Sequence, residues 1–236
     1  MTRDGGSVVI VGGSASIGGA IVERFRAAGS RLIVTYCRNN RFQTTGGLRA
    51  LPLDLASDAS IERFVGDLRS AVEHVDTALF LSGAVPGKSL RDYTMSEIDT
   101  TMAVNFAGQA KVIMRLLPML VPGSQVLLLS SISAQKGSYD PIYAAAKGAV
   151  LSFVKSLASN LAPDVRVNAL APGLIKDSAM YRAMTPERRE WHRMQTPTKR
   201  FLECADLAAV IFDLSQDHWS HLNGACIDLN GGQYAR

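Results

Sequence analysis

The chain has 236 residues, is 47% hydrophobic, and carries a formal charge of +4 with a pI near 9.1. That is enough to bury one substantial core, and no stretch approaches the run of about 20 apolar residues that a membrane span needs. Its basic residues are mostly interleaved with acids, as in ERFRAAGSR and IERFVGDLR, and no DNA- or RNA-binding motif accompanies the densest group, PERRE with WHR. The mild excess suits anionic small molecules.

MTRDGGSVVIVGG passes from polar residues into a short apolar run, without the length or cleavage site of a signal peptide. The first strand, VVIV at 8–11, leads into VGGSASIGGA (11–20), where a helix over 17–28 begins. Glycines there permit a tight turn and let backbone N–H groups approach a pyrophosphate at a helix N-terminus. A glycine-rich turn also serves simply to reverse a chain; its place between the first strand and the first helix raises the dinucleotide reading.

RLIVTY (31–36) is the second strand and continues into CRN. NAD-binding chains place an acid at such a strand end, to accept from both adenosine ribose hydroxyls. Here the position is Tyr36, and no acid follows before Asp54. Arg38 instead offers a guanidinium able to grip a 2′-phosphate, which predicts NADP rather than NAD.

The third strand is ALPL (50–53), followed by Asp54, which can accept from an adenine amino group or cap the next helix, 58–74. After the fourth strand, TALFL (77–81), the small residues Ser82, Gly83 and Ala84 allow close approach to a ribose. A long helix is expected over 95–120. Asn105 lies inside it, a residue that helix interiors do not favour without a local bond or a task.

QVLLLS (125–130) is the fifth strand, closed by Ser130 and Ser131. In SYDPIYAAAKG, Asp140 is a good N-cap and Pro141 suits the first position of a helix over 141–162. Tyr143 and Lys147 then share one face, a turn apart. The sixth strand, VRVNAL (165–170), ends near Pro172, Gly173 and Ile175. Residues 176–200 are polar, rich in Met and Arg, and read as a mobile helical excursion over one end of the sheet. A helix over 204–216 and a strand ACIDL (225–229) complete the chain.

Short strands rich in Val, Ile and Leu alternating with amphipathic helices predict an α/β fold: one doubly wound, mostly parallel, Rossmann-like sheet of about seven strands, with helices on both faces and no break into a second domain. Ligands of such sheets bind beyond the carboxyl ends of the strands, where the residues singled out would gather. Cys37, Cys204 and Cys226 are odd in number, far apart and without a CxxC. They suggest neither a disulfide framework nor a metal site, and a reducing cytoplasm is expected.

GGSASIG, LDLAS, SGA, VNFAG, SSIS, YAAAK, NALAPGLI and LNGG stand in the order and near the spacing of the short-chain dehydrogenases/reductases. The chain resembles the single-domain members of that family over nearly its whole length, in particular 3-oxoacyl-thioester and ketone reductases. The resemblance implies hydride transfer between NADP(H) and a carbonyl or secondary alcohol. Tyr143 would be acid and base, Lys147 would lower its pKa and hold the nicotinamide ribose, Ser131 would bind the substrate oxygen, and Asn105 would hold a water leading to Lys147. The spacing leaves Ser130 as the alternative to Ser131.

The cofactor would lie along Gly12, Ser14, Ala15, Ser16, Ile17, Gly18, Tyr36, Arg38, Asp54, Leu55, Ser82, Gly83, Tyr143, Lys147, Pro172, Gly173 and Ile175. Three departures from the family pattern bear on its affinity: Ser16 in place of a glycine, Ser82 in place of an asparagine, and the acid Asp177 where a threonine is common. The substrate would be a small carbonyl or alcohol, free or bound to a carrier or CoA, and the protein a homo-oligomer, tetramer or dimer. A catalytically silent NAD(P)-binding regulator on the same fold is the alternative; its signature would be loss of the tyrosine or the lysine.

Overall fold

A computed structural model describes residues 6–14 and 16–235. Its strands are Ser7–Val11 (β1), Arg31–Tyr36 (β2), Leu48–Pro52 (β3), Val75–Phe80 (β4), Leu120–Leu129 (β5), Val165–Pro172 (β6) and Cys226–Leu229 (β7). They form one parallel sheet in the order β3-β2-β1-β4-β5-β6-β7. The order reverses between β1 and β4, the place where a parallel sheet opens a crevice at its carboxyl edge.

Alternation along the strands sends neighbouring side chains to opposite faces. Val9, Val11, Phe80 and Leu128 pack with Ile61, Phe64 and Leu68 of helix α2 (Asp58–Arg69), and with helices α4 (Gly108–Leu116) and α6 (Pro141–Leu161). Val8, Ile10, Leu79 and Leu127 face the other way, onto Ile21 and Phe25 of α1 (Ser16–Ala27) and Leu207 and Ile211 of α9 (Cys204–Leu214). Phe25 and Phe64 are fully buried, one in each core. Truncating either to Ala should cost about 3–5 kcal/mol. These two layers explain why the strands read as unbroken apolar runs.

The expected helix over 95–120 is interrupted. Met95–Met102 (α3) passes into a π-helical turn at Ala103–Ala107 before α4 begins, and Leu117–Met119 is a 3₁₀ turn. At the junction the backbone of Gly108 presses on the carbonyl of Leu55, where a Cβ would stand 2.1 Å away. The expected helix over 58–74 stops at Arg69, where Ser70 is the C-cap and both its backbone N–H and its hydroxyl donate to the Gly66 carbonyl. β5 starts at Leu120 rather than 125. Ser124 makes this extension possible: its hydroxyl accepts from Val121 N and donates to Val75 O, joining the start of β5 to β4.

Three short helices were not expected individually. Ser133–Lys136 (α5) follows β5, and the excursion over 176–200 contains Ala179–Ala183 (α7) and Pro186–Gln195 (α8). Among the described residues no helix is long and apolar enough to cross a membrane.

Candidate active site

Beyond the carboxyl ends of the strands lies a cavity of about 820 Å³, within the usual range of about 300–1,000 Å³ for ligand sites. It runs from the turn after β1 to α7 and α8. Gly12, Ser14, Ile17, Tyr36, Asp54, Leu55, Ser82, Gly83, Pro172, Gly173 and Ile175 line it, together with Ser130, Ser131, Tyr143 and Lys147. Gly18, Arg38 and Asn105 do not. Ala15 lies outside the described residues, and Ser16 is described only by its backbone, which opens α1.

The glycines of the first turn answer to packing. Gly12 has φ of +86°, and a Cβ on it would stand 2.4 Å from the Ser82 hydroxyl. A Cβ on Gly18 would meet the Gly13 carbonyl at 2.3 Å. Gly12 N donates to the buried Thr35 hydroxyl at 2.9 Å, which ties the turn to β2. Thr35 escaped the sequence reading, although a polar residue inside RLIVTY was a signal for it. The turn, the start of α1 and the length of the cavity fit a dinucleotide.

At the end of β2 the wall is formed by Thr35, Tyr36 and Cys37, with Asp54 and Leu55 opposite. Arg38 is exposed outside this wall, close enough to Cys37 to pull its thiol's pKa down, though burial and Asp54 outweigh it and the net shift is upward. Asp54 lies beyond β3 and accepts from Ala56 N at 3.0 Å, while the cap of α2 is Ser57. Asp177 is exposed and not on the cavity wall. Ser178 is on the wall, its hydroxyl capping α7.

Tyr143 and Lys147 stand on α6 as its capping predicts. The Asp140 side chain accepts from Tyr143 N at 2.9 Å, with Pro141 in the first turn. Ser131 and Ser130 part ways, as alternation along a strand requires. The Ser131 hydroxyl hydrogen-bonds Tyr143, whereas the Ser130 hydroxyl donates to the Lys147 carbonyl at 2.9 Å.

Lys147 is 2% exposed and donates to Leu129 O at 2.7 Å and Ser82 O at 3.4 Å. Burial draws its amine down to about 7. Tyr143 is raised above its ordinary value, first by burial, with Ser131 acting against this and Asp140 adding to it. This departs from the expectation that Lys147 holds the phenol down. With both groups desolvated, each is driven toward its neutral form.

Asn105 is fully buried in the π-helical turn, and its side chain ties that turn to the loop after β4. Its Nδ2 donates to Ala84 O and Thr101 O, and its Oδ1 accepts from Ala84 N. The expected link to Lys147 is a matter of proximity: a Cβ on Gly83 would lie 3.2 Å from Asn105 Oδ1 and 3.7 Å from Lys147 Nζ. Gln109, also fully buried, donates to Ser82 O and Val104 O. Its Oε1 has no partner among the described residues.

The sequence also left a larger part of Asp140 unread. The residue is 4% exposed, and its carboxylate accepts from Gly87 N at 2.8 Å and the Tyr93 hydroxyl at 2.6 Å, besides Tyr143 N. The loop after β4 is thereby pinned to the turn that carries Tyr143. Tyr93 is pushed up to about 12, by burial first and then by this bond, so it remains a donor at ordinary pH. Nothing in the sequence near 140 indicates partners at 87 and 93.

A family model described as enoyl-(acyl carrier protein) reductase matches residues 11–233. The chain is 28% identical over 239 residues to the 3-oxoacyl-[acyl-carrier-protein] reductase FabG of Aquifex aeolicus, covering 96% of each chain. It is 27% identical over 243 residues to the FabG of Escherichia coli, covering 99% of each. A short-chain dehydrogenase/reductase from Brucella melitensis, described as glucose/ribitol dehydrogenase, superposes with a TM-score of 0.93 at 27% identity, over 100% of this chain and 99% of that one. Seven parallel strands, a glycine turn at the switch point and matches running almost end to end place the chain in the short-chain dehydrogenase/reductase family, as an oxidoreductase.

Proposed function

We propose that the protein is an NADPH-dependent carbonyl reductase whose substrates are 3-oxoacyl thioesters or related ketones. The observation that carries this reading is the meeting of Tyr143, Ser131 and Lys147 on one wall of a cavity that also reaches the glycine turn. The name of the FabG relatives supports the acyl substrate.

In this reading Gly12, Ser14, Ile17, Leu55 and Gly83 line the cofactor's bed, Lys147 holds the ribose beside the nicotinamide, and Arg38 swings in from the surface toward the 2′-phosphate. NADPH, when bound, supplies the hydride that reaches the carbonyl carbon. Ser131 and Tyr143 both hydrogen-bond the carbonyl oxygen, where negative charge grows as the hydride arrives. Tyr143 gives its proton to that oxygen: its O–H bond breaks as that of the product alcohol forms. A phenol raised by burial is in the protonated form that reduction requires. Lys147 returns the proton to the phenolate and is recharged from solvent through a water between it and Asn105. Oxidation of an alcohol runs the same steps backward.

Residues 176–200, with α7 and α8, are read as the substrate lid of a single catalytic domain spanning 1–236. The exposed Met95 and Met114, on the helices before and after the π-helical turn, support a homo-oligomer, tetramer or dimer. Phe106 and Phe153 meet edge to face at 5.6 Å between that turn and α6. Free cysteines suit a reducing cytoplasm. The silent-regulator alternative loses ground because both Tyr143 and Lys147 are present and face the cavity.

The test is NADPH consumption, followed by absorbance, with 3-oxoacyl thioesters and simple ketones. Failure of every carbonyl substrate, with NADPH still bound, would overturn this reading in favour of the regulator. Light scattering showing a monomer at micromolar concentration would remove the oligomer.

A further inference from the structure

We propose that the lid end of the cavity binds an anionic group carried by the substrate, a carboxylate or a phosphate, held by Lys136, Arg188 and His192. The proposal rests on the carbonyl reductase reading and adds a substrate class to it. Lys136 ends α5, while Arg188 and His192 lie one turn apart on the same face of α8. All three line the cavity. They stand close enough to act on one another: the His192 imidazole is held below its ordinary value, by burial first and then by Arg188 and Lys136.

Of the other lid cations, Arg182 and Arg200 are exposed and off the cavity wall, and the rest are paired. Arg189 donates to Tyr181 O and Arg182 O and lies over the Tyr181 ring at 4.5 Å. Arg193 bonds Glu190 and Lys199 O, and Lys199 bonds Met194 O. Lys176 pairs with Glu203. The head groups of Arg188 and Lys136, by contrast, have no hydrogen bond or ion pair among the described residues.

Nearby acids are also spoken for. Glu190 belongs to Arg193, and Glu187 bonds Thr185 and its own backbone amide. Among the described residues, the acids on the cavity wall are Asp54, at the opposite end, and Asp140, which already accepts from Gly87, Tyr93 and Tyr143. Two exposed cations, Arg188 and Lys136, thus meet the His192 imidazole at the mouth of the cavity, with no acid left to pair with them among the described residues. That arrangement concentrates an anionic ligand.

The cavity lining also includes the apolar side chains of Val85, Pro86, Met180 and Met184. The ligand that fits has a ketone at one end, an apolar body and an anion at the other. A carboxylate at the far end of the acyl chain and the phosphates of a thioester carrier share this chemistry.

The test compares kcat/KM with NADPH for three probes: ethyl acetoacetate, the monoethyl ester of 3-oxoadipic acid with its free distal carboxylate, and acetoacetyl-CoA. One charged probe should exceed the neutral ester at least about tenfold, with the advantage shrinking as salt rises. Whichever charged probe is favoured identifies the source of the anion. Arg188→Gln should cut the charged-to-neutral ratio by about tenfold and Lys136→Gln by less. Arg63→Gln, an exposed change on α2, controls for net charge and should leave the ratio alone.

A second readout needs neither turnover nor cofactor. Trp191 is 57% exposed at the same rim, so glutarate or CoA should change its fluorescence saturably, and the response should vanish in Trp191→Phe and weaken in Arg188→Gln. Equal kcat/KM for charged and neutral probes, or a ratio unmoved by Arg188→Gln, overturns the anion site and leaves the reductase standing. No turnover of any probe overturns the reductase reading. The fluorescence titration then decides the anion site: a saturable response dependent on Arg188 supports it, and none overturns it.

Discussion

At the end of the cavity formed by β1, β2 and β4, polar groups are spent on one another. Thr35 holds Gly12 N, Gln109 holds Ser82 O, and Asn105 holds both the N–H and the C=O of Ala84. At the other end, on α5 and α8, Lys136 and Arg188 line the same cavity, and their head groups have no partner among the described residues. One end is fixed by bonds between strand ends and loops. The other presents side chains from short helices that lie on the sheet rather than in it. A fold arranged this way keeps its chemistry constant at the rigid end and varies the compound it accepts at the lid. Tyr143 sits at the border, and Asp140 joins its helix to the loop after β4.

The comparison breaks most severely if the border residue is dispensable. Tyr143→Phe removes only the transferable proton and should lower kcat by about 10²–10⁴-fold, while the NADPH dissociation constant moves little. Fluorescence titration with NADPH beside turnover assays checks both halves. Turnover near that of the wild type would place the acid elsewhere in the cavity.

Lys147→Met strikes the rigid end, and it carries a stability signature as well as a catalytic one. Turnover and NADPH affinity should both fall. In the cofactor-free protein the amine titrates at about 7 when folded, against 10.5 ordinarily. Between those values the unfolded chain binds more protons, so this group makes wild-type stability rise with pH from about 7 to 10.5. Below about 7 the cost of burying the charge is complete, several kcal/mol at about 1.4 kcal/mol per unit. Lys147→Met should therefore melt above the wild type at pH 6, with the advantage disappearing by pH 10, where the lost bond to Leu129 O remains. A melting difference that stays flat across this range would show that the amine is not desolvated as described.

Asp140→Asn tests the joint. An amide can still accept from Tyr143 N, but it cannot receive Gly87 N and the Tyr93 hydroxyl as strongly as a carboxylate does. The loop after β4 should loosen and kcat fall by about tenfold or more. Removing the negative charge should also lower the Tyr143 pKa, since Asp140 contributes to its rise. A purely structural role would leave the pH profile of kcat in place; the joint requires its alkaline limb to move to lower pH. Tyr93→Phe, which keeps the carboxylate, should lower kcat less and leave that limb nearly unmoved.

Much of the rigid end was legible because its determinants are local. Strand runs such as VVIV, RLIVTY and QVLLLS are continuous in the sequence, and alternation within them settles which face each residue takes. The placement of Tyr143 and Lys147 follows from Asp140 and Pro141 beside them. What escaped are contacts between distant segments. Asp140 with Gly87 and Tyr93, Thr35 with Gly12, and Gly108 against Leu55 each depend on two loops or elements brought together by the sheet. The π-helical turn was also unread: the apolar spacing over 95–120 continues through it, and the close approach of Gly108 to Leu55 beside it joins distant segments. The lid was visible as a change of composition and as a helical excursion, yet the bounds of its two helices and the pairing of Arg193 with Glu190 were not, because polar segments carry little periodic signal.

The smallest expected effect concerns Arg38, at the edge of the rigid end, where the contrast between fixed and free side chains is least sharp. No acid lies in the sequence between Tyr36 and Asp54, so the end of β2 itself sets no carboxylate against a 2′-phosphate, although Asp54 faces it from beyond β3. Arg38 itself is exposed and off the cavity wall, with Cys37 beside it. To reach a phosphate its long side chain must be ordered at binding, and the lost rotamer freedom offsets part of the gain. A charge-assisted bond of about 1.5–3 kcal/mol, reduced by that cost, corresponds to roughly tenfold in affinity. Arg38→Ala should therefore weaken NADPH about tenfold and NADH hardly at all. Raising salt should erode the NADPH preference of the wild type more than that of the variant, since the contact is exposed to screening. Equal losses for the two cofactors would make Arg38 an ordinary surface residue and shift the discrimination to Tyr36 and the first turn. A wild-type preference for NADH would remove the NADP assignment altogether.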